Sequence, residues 1–329
     1  MDSTRTATIR SVARVPVEPS AVTARPVHLS RRMTLEDAFR VTVLECLAHV
    51  AANVPAVVRS RDAEGLHQLR VGLRRLQVAF SAFGDEFRTP VLEDLKTRTK
   101  AFADAVAPAR DLDVFIAELF EPMAAKFSHQ DAFATLRRRA EEARRRAWND
   151  AVDHVASADF AAFQDDVAAA AEERGWRANA DPNARRERRL PVKQAAPRLM
   201  EDYLKRVRKR ARHLRALDQR RCHRLRLALK KLRYAAEFYG PLYRGKTVKR
   251  YVERLKSLQD LLGQVNDVAQ VRAMLNRLTI DEAAPGHVQA DLSFVAGLID
   301  GWHQAHAERL SEKAIKRIDK FKRTEPFWA

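Results

Sequence analysis

The sequence predicts an all-α fold. Glycine (10) and proline (13) are sparse in 329 residues, and 46% of the residues are hydrophobic. Apolar side chains recur at helical spacing, with no alternating strand pattern of useful length. One basic helix also occurs twice: His67-Gln68-Leu69-Arg70 with Arg74-Arg75-Leu76, and His223-Arg224-Leu225-Arg226 with Lys230-Lys231-Leu232. The copies are 156 residues apart. Lys100 and Asp111 match Lys256 and Asp267 at the same offset. Two blocks in one register mean an internal duplication.

Taken in order, residues 1–33 carry Pro16, Pro19, Pro26 and scattered arginines, with only Asp2 and Glu18 acidic. They read as a disordered basic tail, with a transit peptide as the second reading. Thr34 followed by Asp37 marks a helix start, and a helical pattern runs to about Val58. The next helix covers 63–83 and ends at Gly84; a third runs from Thr89 to Val106 and stops at Pro108. A fourth begins near Asp111 and is interrupted at Pro122. The stretch 129–173 is helical with a break near Ser157. Residues 175–197, with Gly175, Pro182, Pro191, Pro197 and the basic run Arg185–Arg189, read as a linker between a first half (34–174) and a second (198–329). The second half predicts helices at 198–215, 218–239, 246–263, 266–280 and 287–323.

Sixty-one Lys and Arg against 43 Asp and Glu give +18 and a pI near 10.4. Such a surface attracts polyanions: nucleic acid, anionic lipid or polyphosphate. Two unspaced cysteines, Cys46 and Cys222, point to a reducing compartment. No run of 18 apolar residues predicts a membrane span.

At about 100° per residue, His67, Arg70 and Arg74 share one edge of their helix while Leu66, Leu69, Leu73 and Leu76 share the neighbouring one; Arg75 falls elsewhere. In the second copy His223, Arg226 and Lys230 take the same places and Arg233 joins them. From Lys205 to Arg233 there are fourteen Lys/Arg and one acid, Asp218. An ordinary surface helix spaces its charges with compensating acids. Like charges so crowded repel unless an anion is bound, which is the argument for a polyanion site over a merely solvated face. Metal ligation is not expected: neither His67 nor His223 has a ligand one turn away, and His303 with His306 lacks a third. Asp111 with Asp113 has the look of a Mg²⁺ pair, yet an Asp here more simply caps a helix and orients nearby arginines.

These residues resemble the CHAD family, the conserved-histidine α-helical domain, over about 34–329. The resemblance also rests on Ala109-Arg110-Asp111, Leu258-Gln259-Asp260 with Asn266-Asp267, Tyr234, and the terminal Pro326-Phe327-Trp328. It implies two four-helix bundles related by pseudo-two-fold symmetry around a basic central pore. It implies binding of inorganic polyphosphate, in some members on polyphosphate granules; with the cysteine usage and the lack of a catalytic motif, the expectation is a non-enzymatic cytoplasmic protein that needs no cofactor. The phosphate-binding set would be His67, Arg70, Arg74, Arg75, Lys100 and Arg110 from the first half, with His223, Arg226, Lys230, Lys231, Arg233 and Lys256 from the second. Gln77 stands where the second copy has Arg233, so the first half is one charge poorer. No ExExK motif opens the chain, so the triphosphatase activity attached to some members is not implied. A nucleic-acid binder is the first alternative, although the basic stripes lack interleaved aromatics for base stacking. A phosphoanhydride hydrolase holding Mg²⁺ on Asp111, Asp113 or Asp267 is the second.

Overall fold

A computed structural model describes residues 18–127, 131–179, 181–212, 219–280 and 285–329, without the side chains of 219, 266–269 and 308. The described residues form helices α1 (Leu35–Val58), α2 (Ala63–Ala82), α3 (Pro90–Ala105), α4 (Ala107–Val114), α5 (Glu121–Ala124), α6 (Asp131–Ala156) and α7 (Ala158–Glu172). Then follow α8 (Pro182–Arg188), α9 (Val192–Ala211), α10 (Gln219–Tyr239), α11 (Gly245–Thr279) and α12 (Gly286–Lys322). The fold is all-α. Among the described residues the sole strand-like pairing is one bridge between Thr34 and Pro191.

Local chemistry sets the boundaries. Thr34 Oγ1 accepts the Asp37 amide at 3.1 Å and Asp62 accepts that of Glu64 at 2.9 Å. Ser157 caps α7 by accepting from Phe160 at 3.1 Å, where the sequence predicts the break. Pro108 ends α3 at Ala105 and opens α4, and a π-helical turn at Phe115–Phe120 precedes Pro122. In the second half the two predicted helices at 246–263 and 266–280 are one, α11. Gln264 occupies the position equivalent to Pro108, so nothing interrupts the hydrogen-bond ladder.

α1 and α2 lie close because two glycines face α1. A Cβ on Gly65 would sit 2.6 Å from Ala56 Cβ, and one on Gly72 would sit 2.8 Å from Val50 Cγ2. α1 is long and apolar enough to pass as a membrane span (mean hydropathy 1.7), which a search for uninterrupted apolar runs misses. Here Phe39, Val43, Cys46, Val50 and Val57 are buried inside the helical assembly.

The expected tail and linker are both corrected. Residues 1–17 lie outside the described set, but 18–33 form an extended strap on α1 and α2. Val27 and Leu29 are buried. Val22 N–H donates to Asn53 Oδ1 and its carbonyl accepts from Asn53 Nδ2, both at 2.9 Å. Proline holds such a segment extended, and polar side chains of the helix satisfy its backbone. In 175–197, Trp176 is fully buried against Phe39 and Phe87, and its Nε1 donates to Glu36 at 2.7 Å. Arg174 and Arg177 pair with the same carboxylate, holding Glu36 down to about 2 against the opposing effect of its burial. Buried Arg188 donates to the carbonyls of Glu86, Trp176 and Asn179. Gly and Pro here mark turns within a packed segment.

The main core draws on both halves: Phe83 meets Tyr239 at 5.1 Å, and the Tyr239 and Tyr203 hydroxyls donate to the carbonyls of Ala82 and Ser81. A second core joins Leu112, Phe115, Phe133 and Leu136 to Val271, Leu275, Leu292 and Ile299.

Candidate anion-binding site

The duplicated helices α2 and α10 bring cations of both halves together. The centre is Lys230, on the edge of α10 that it shares with Arg226 and Arg233. Its largely buried ammonium is pushed down to about 6, first by loss of solvent and then by the charges of Arg74, Arg226, Arg233 and Arg70. Two of those guanidiniums belong to the first half and two to the second. Half-buried His67 borders the group, its pKa lowered by burial and by Arg110, Arg70 and Arg74. His67, Arg70, Arg74, Arg110, Arg226, Lys230 and Arg233 therefore form one cationic cluster.

Acids hold the rim. Arg70 Nη1 donates to the Ala107 carbonyl at 2.9 Å and to Asp111 Oδ1 at 3.3 Å. Arg110 approaches Glu118 at 3.9 Å. Arg233 donates to Gln259 Oε1 at 2.9 Å and to Glu237 Oε1 at 2.8 Å, and stacks over Tyr234. These contacts fix guanidinium planes while leaving donors for a ligand. Sequence reasoning missed Glu237, although its i+4 spacing from Arg233 signals a pair. It missed the role of Gln259 too, because a neutral amide carries no charge signal.

Five expected residues lie elsewhere. Arg75 is buried against α10, paired with Glu237 Oε2 at 3.5 Å and lying over Phe238. Its position on another edge of the helical wheel already separates it from Arg74. Lys100 is exposed and bound to Asp104 one turn on. Lys256 lies in a shallow mixed-charge pocket with Glu253, Asp260 and Arg317. Loss of solvent, and then the charges of Arg206, Lys96 and Arg210, lower the pKa of Lys231, which places it with that group rather than in the cluster. His223 is exposed, unlike His67.

The candidate Mg²⁺ carboxylates are otherwise engaged. Asp111 sits within α4 and orients Arg70; it does not cap a helix. Buried Asp113 accepts from Arg144 Nε at 2.6 Å and Trp148 Nε1 at 3.1 Å, tying α4 to α6. The Asp267 side chain lies outside the described residues. Among the described residues no group of three His, Cys, Asp or Glu side chains could hold a metal ion. His303 Nε2 donates to the Leu119 carbonyl at 3.0 Å.

The CHAD domain family model matches residues 42–276. The chain belongs to the CHAD family. Among solved structures it is similar to the CHAD domain from the plant Ricinus communis, at 24% identity and a TM-score of 0.75, covering 93% of this chain and 97% of that one. It is also similar to PptA from Streptomyces chartreusis, at 17% identity and a TM-score of 0.60, covering 89% of this chain and 100% of that one. No curated protein matches it. These likenesses confirm the all-α CHAD fold that the duplicated His-x-x-Arg helices imply, and the matched span contains the whole cluster.

Proposed function

We propose that this CHAD protein binds inorganic polyphosphate non-catalytically, at the cluster where α2 and α10 face each other. The observation that carries the reading is Lys230, driven to about 6 by arginines of both halves. A site that repels itself when empty gains most from a dense anion. Polyphosphate supplies one charge per repeat and oxygens suited to bidentate guanidinium donors. The pseudo-two-fold pair of bundles with a basic central pore belongs to the same proposal, the cluster forming the pore wall. So does residence in the cytoplasm on polyphosphate granules. Engagement of Asp111 by Arg70, and of Asp113 by Arg144 and Trp148, supports binding over hydrolysis.

The test replaces Arg70, Arg74, Arg226 and Lys230 by Ala and titrates long-chain polyphosphate. Affinity is expected to fall about a hundredfold or more, with the helical circular-dichroism signal retained. Unchanged affinity in a folded variant refutes the site. Duplex DNA, matched in phosphate and salt, is expected to compete weakly; preference for DNA overturns the ligand. Orthophosphate released with Mg²⁺ overturns the non-catalytic reading.

A further inference from the structure

α10 carries a second cationic stripe that the cluster does not use. On its helical wheel Arg226, Lys230 and Arg233 occupy one edge, while Arg221, Arg224 and Lys231 lie roughly 165° away, towards α9. That outer edge and α9 enclose a cleft of about 740 Å³ lined by Arg206, Lys209, Arg210, Arg221 and Arg224. Among the described residues its lining holds no carboxylate. Arg210 is fixed across the cleft, donating to the Arg224 carbonyl at 2.8 Å, and Arg206 rests over the Tyr203 ring. Both stay solvent-exposed. Lys96 of α3 and Lys231 extend the group, since Arg206, Lys96 and Arg210 all bear on the Lys231 ammonium. Between the two stripes lies a ridge of two exposed side chains, His223 and Leu227. The ridge is one helix wide, about 10 Å.

We infer that the α9–α10 cleft is a second polyphosphate-binding surface, and that one long chain passes from the inner cluster over the His223–Leu227 ridge into it. The inference rests on the proposed polyphosphate reading and adds a chain-length rule. A ligand of a few phosphates occupies one surface at a time. A long chain bridges both, and the second contact forms at the high effective concentration set by the first. The outer surface would thus confer preference for long chains, while the inner cluster suffices for short ones.

The experiment compares tripolyphosphate with long-chain polyphosphate on the full chain, on Arg206→Ala/Arg210→Ala, and on Arg185→Ala/Arg189→Ala, which removes the same charge from exposed positions outside the cleft. Wild type is expected to prefer the long chain, per molecule, by more than tenfold. Arg206→Ala/Arg210→Ala is expected to shrink that preference at least fivefold and to lower the long-chain salt slope by about 1.4, the single-strand value of about 0.7 for each lost contact. The Arg185/Arg189 variant keeps the preference. If the cleft variant also keeps it, or the control loses it equally, the second surface is refuted while polyphosphate binding stands. If wild type binds neither ligand, the underlying reading fails as well. If the cleft variant loses single-stranded RNA binding alone, the cleft belongs to nucleic acid and the inference is wrong.

Discussion

On the proposed reading, Lys230 would make polyphosphate binding a protonation event. Its folded value near 6 lies far below the usual lysine value of 10.5. Between those values the unfolded chain holds a proton that the folded chain lacks, so stability rises with pH across this window and declines as pH falls towards 6. Denaturant midpoints of the ligand-free protein should therefore climb from pH 6 to pH 9, and Lys230→Met should flatten the climb. A bound polyanion restores the proton. Calorimetric titration at pH 7.5 in buffers of different ionisation heat should register uptake of up to about one proton per site, absent in the methionine variant. Arg75 separates binding from stability: Arg75→Ala strands the Glu237 carboxylate on one side, for a loss of roughly 2–3 kcal/mol in urea denaturation, and leaves polyphosphate affinity within about twofold. His67, Arg70 and Arg74 were legible as a trio from spacing alone. Arg75 and Lys231 were not, because a repeated basic pair signals duplication and only the wheel angle tells which member turns away. For Glu237, the i+4 pair with Arg233 could be read from spacing, but the contact with Arg75 of α2, 162 residues away, could not.

At the scale of elements, the α1–α2 crossing depends on absent side chains. Gly72→Ala gains about 1 kcal/mol of helix propensity. It also drives a methyl into Val50 Cγ2 and to 3.2 Å from the Val50 amide nitrogen. Overpacking of this kind costs about 1–3 kcal/mol, so net destabilisation is expected in chemical denaturation, and a more stable Gly72→Ala would contradict the packing. Caps and stops were readable wherever a residue acts on its own neighbours, as at Thr34, Ser157 and Pro108. The strap and the 175–197 segment were misread because turn residues reveal that the backbone is irregular, not whether it is packed. Burial of Trp176 depends on Glu36, Phe39 and Phe87, none of them local. Continuity of α11 was misjudged at Gly263, a glycine that a helix tolerates when nothing else breaks its ladder.

For the whole molecule, charge decides the conditions under which binding is visible. With about six phosphates neutralised, log affinity against log salt should fall with a slope of about 4, the single-strand value per contact. Affinity should then weaken roughly two-hundredfold between 50 and 200 mM salt. A flat salt response would remove electrostatics as the driving force. Net charge pointed to an anionic partner, while the +18 total was silent on where a site would lie. The strap has a practical corollary. A protein trimmed to the family-matched boundaries at 42–276 would lose Val27 and Leu29 from α1, the Asn53 clasp, and all of α12. It would present a greasy slot beside a strongly cationic surface, prone to clump with itself and with any acidic contaminant, and poor behaviour of so short a version would say nothing about the intact chain.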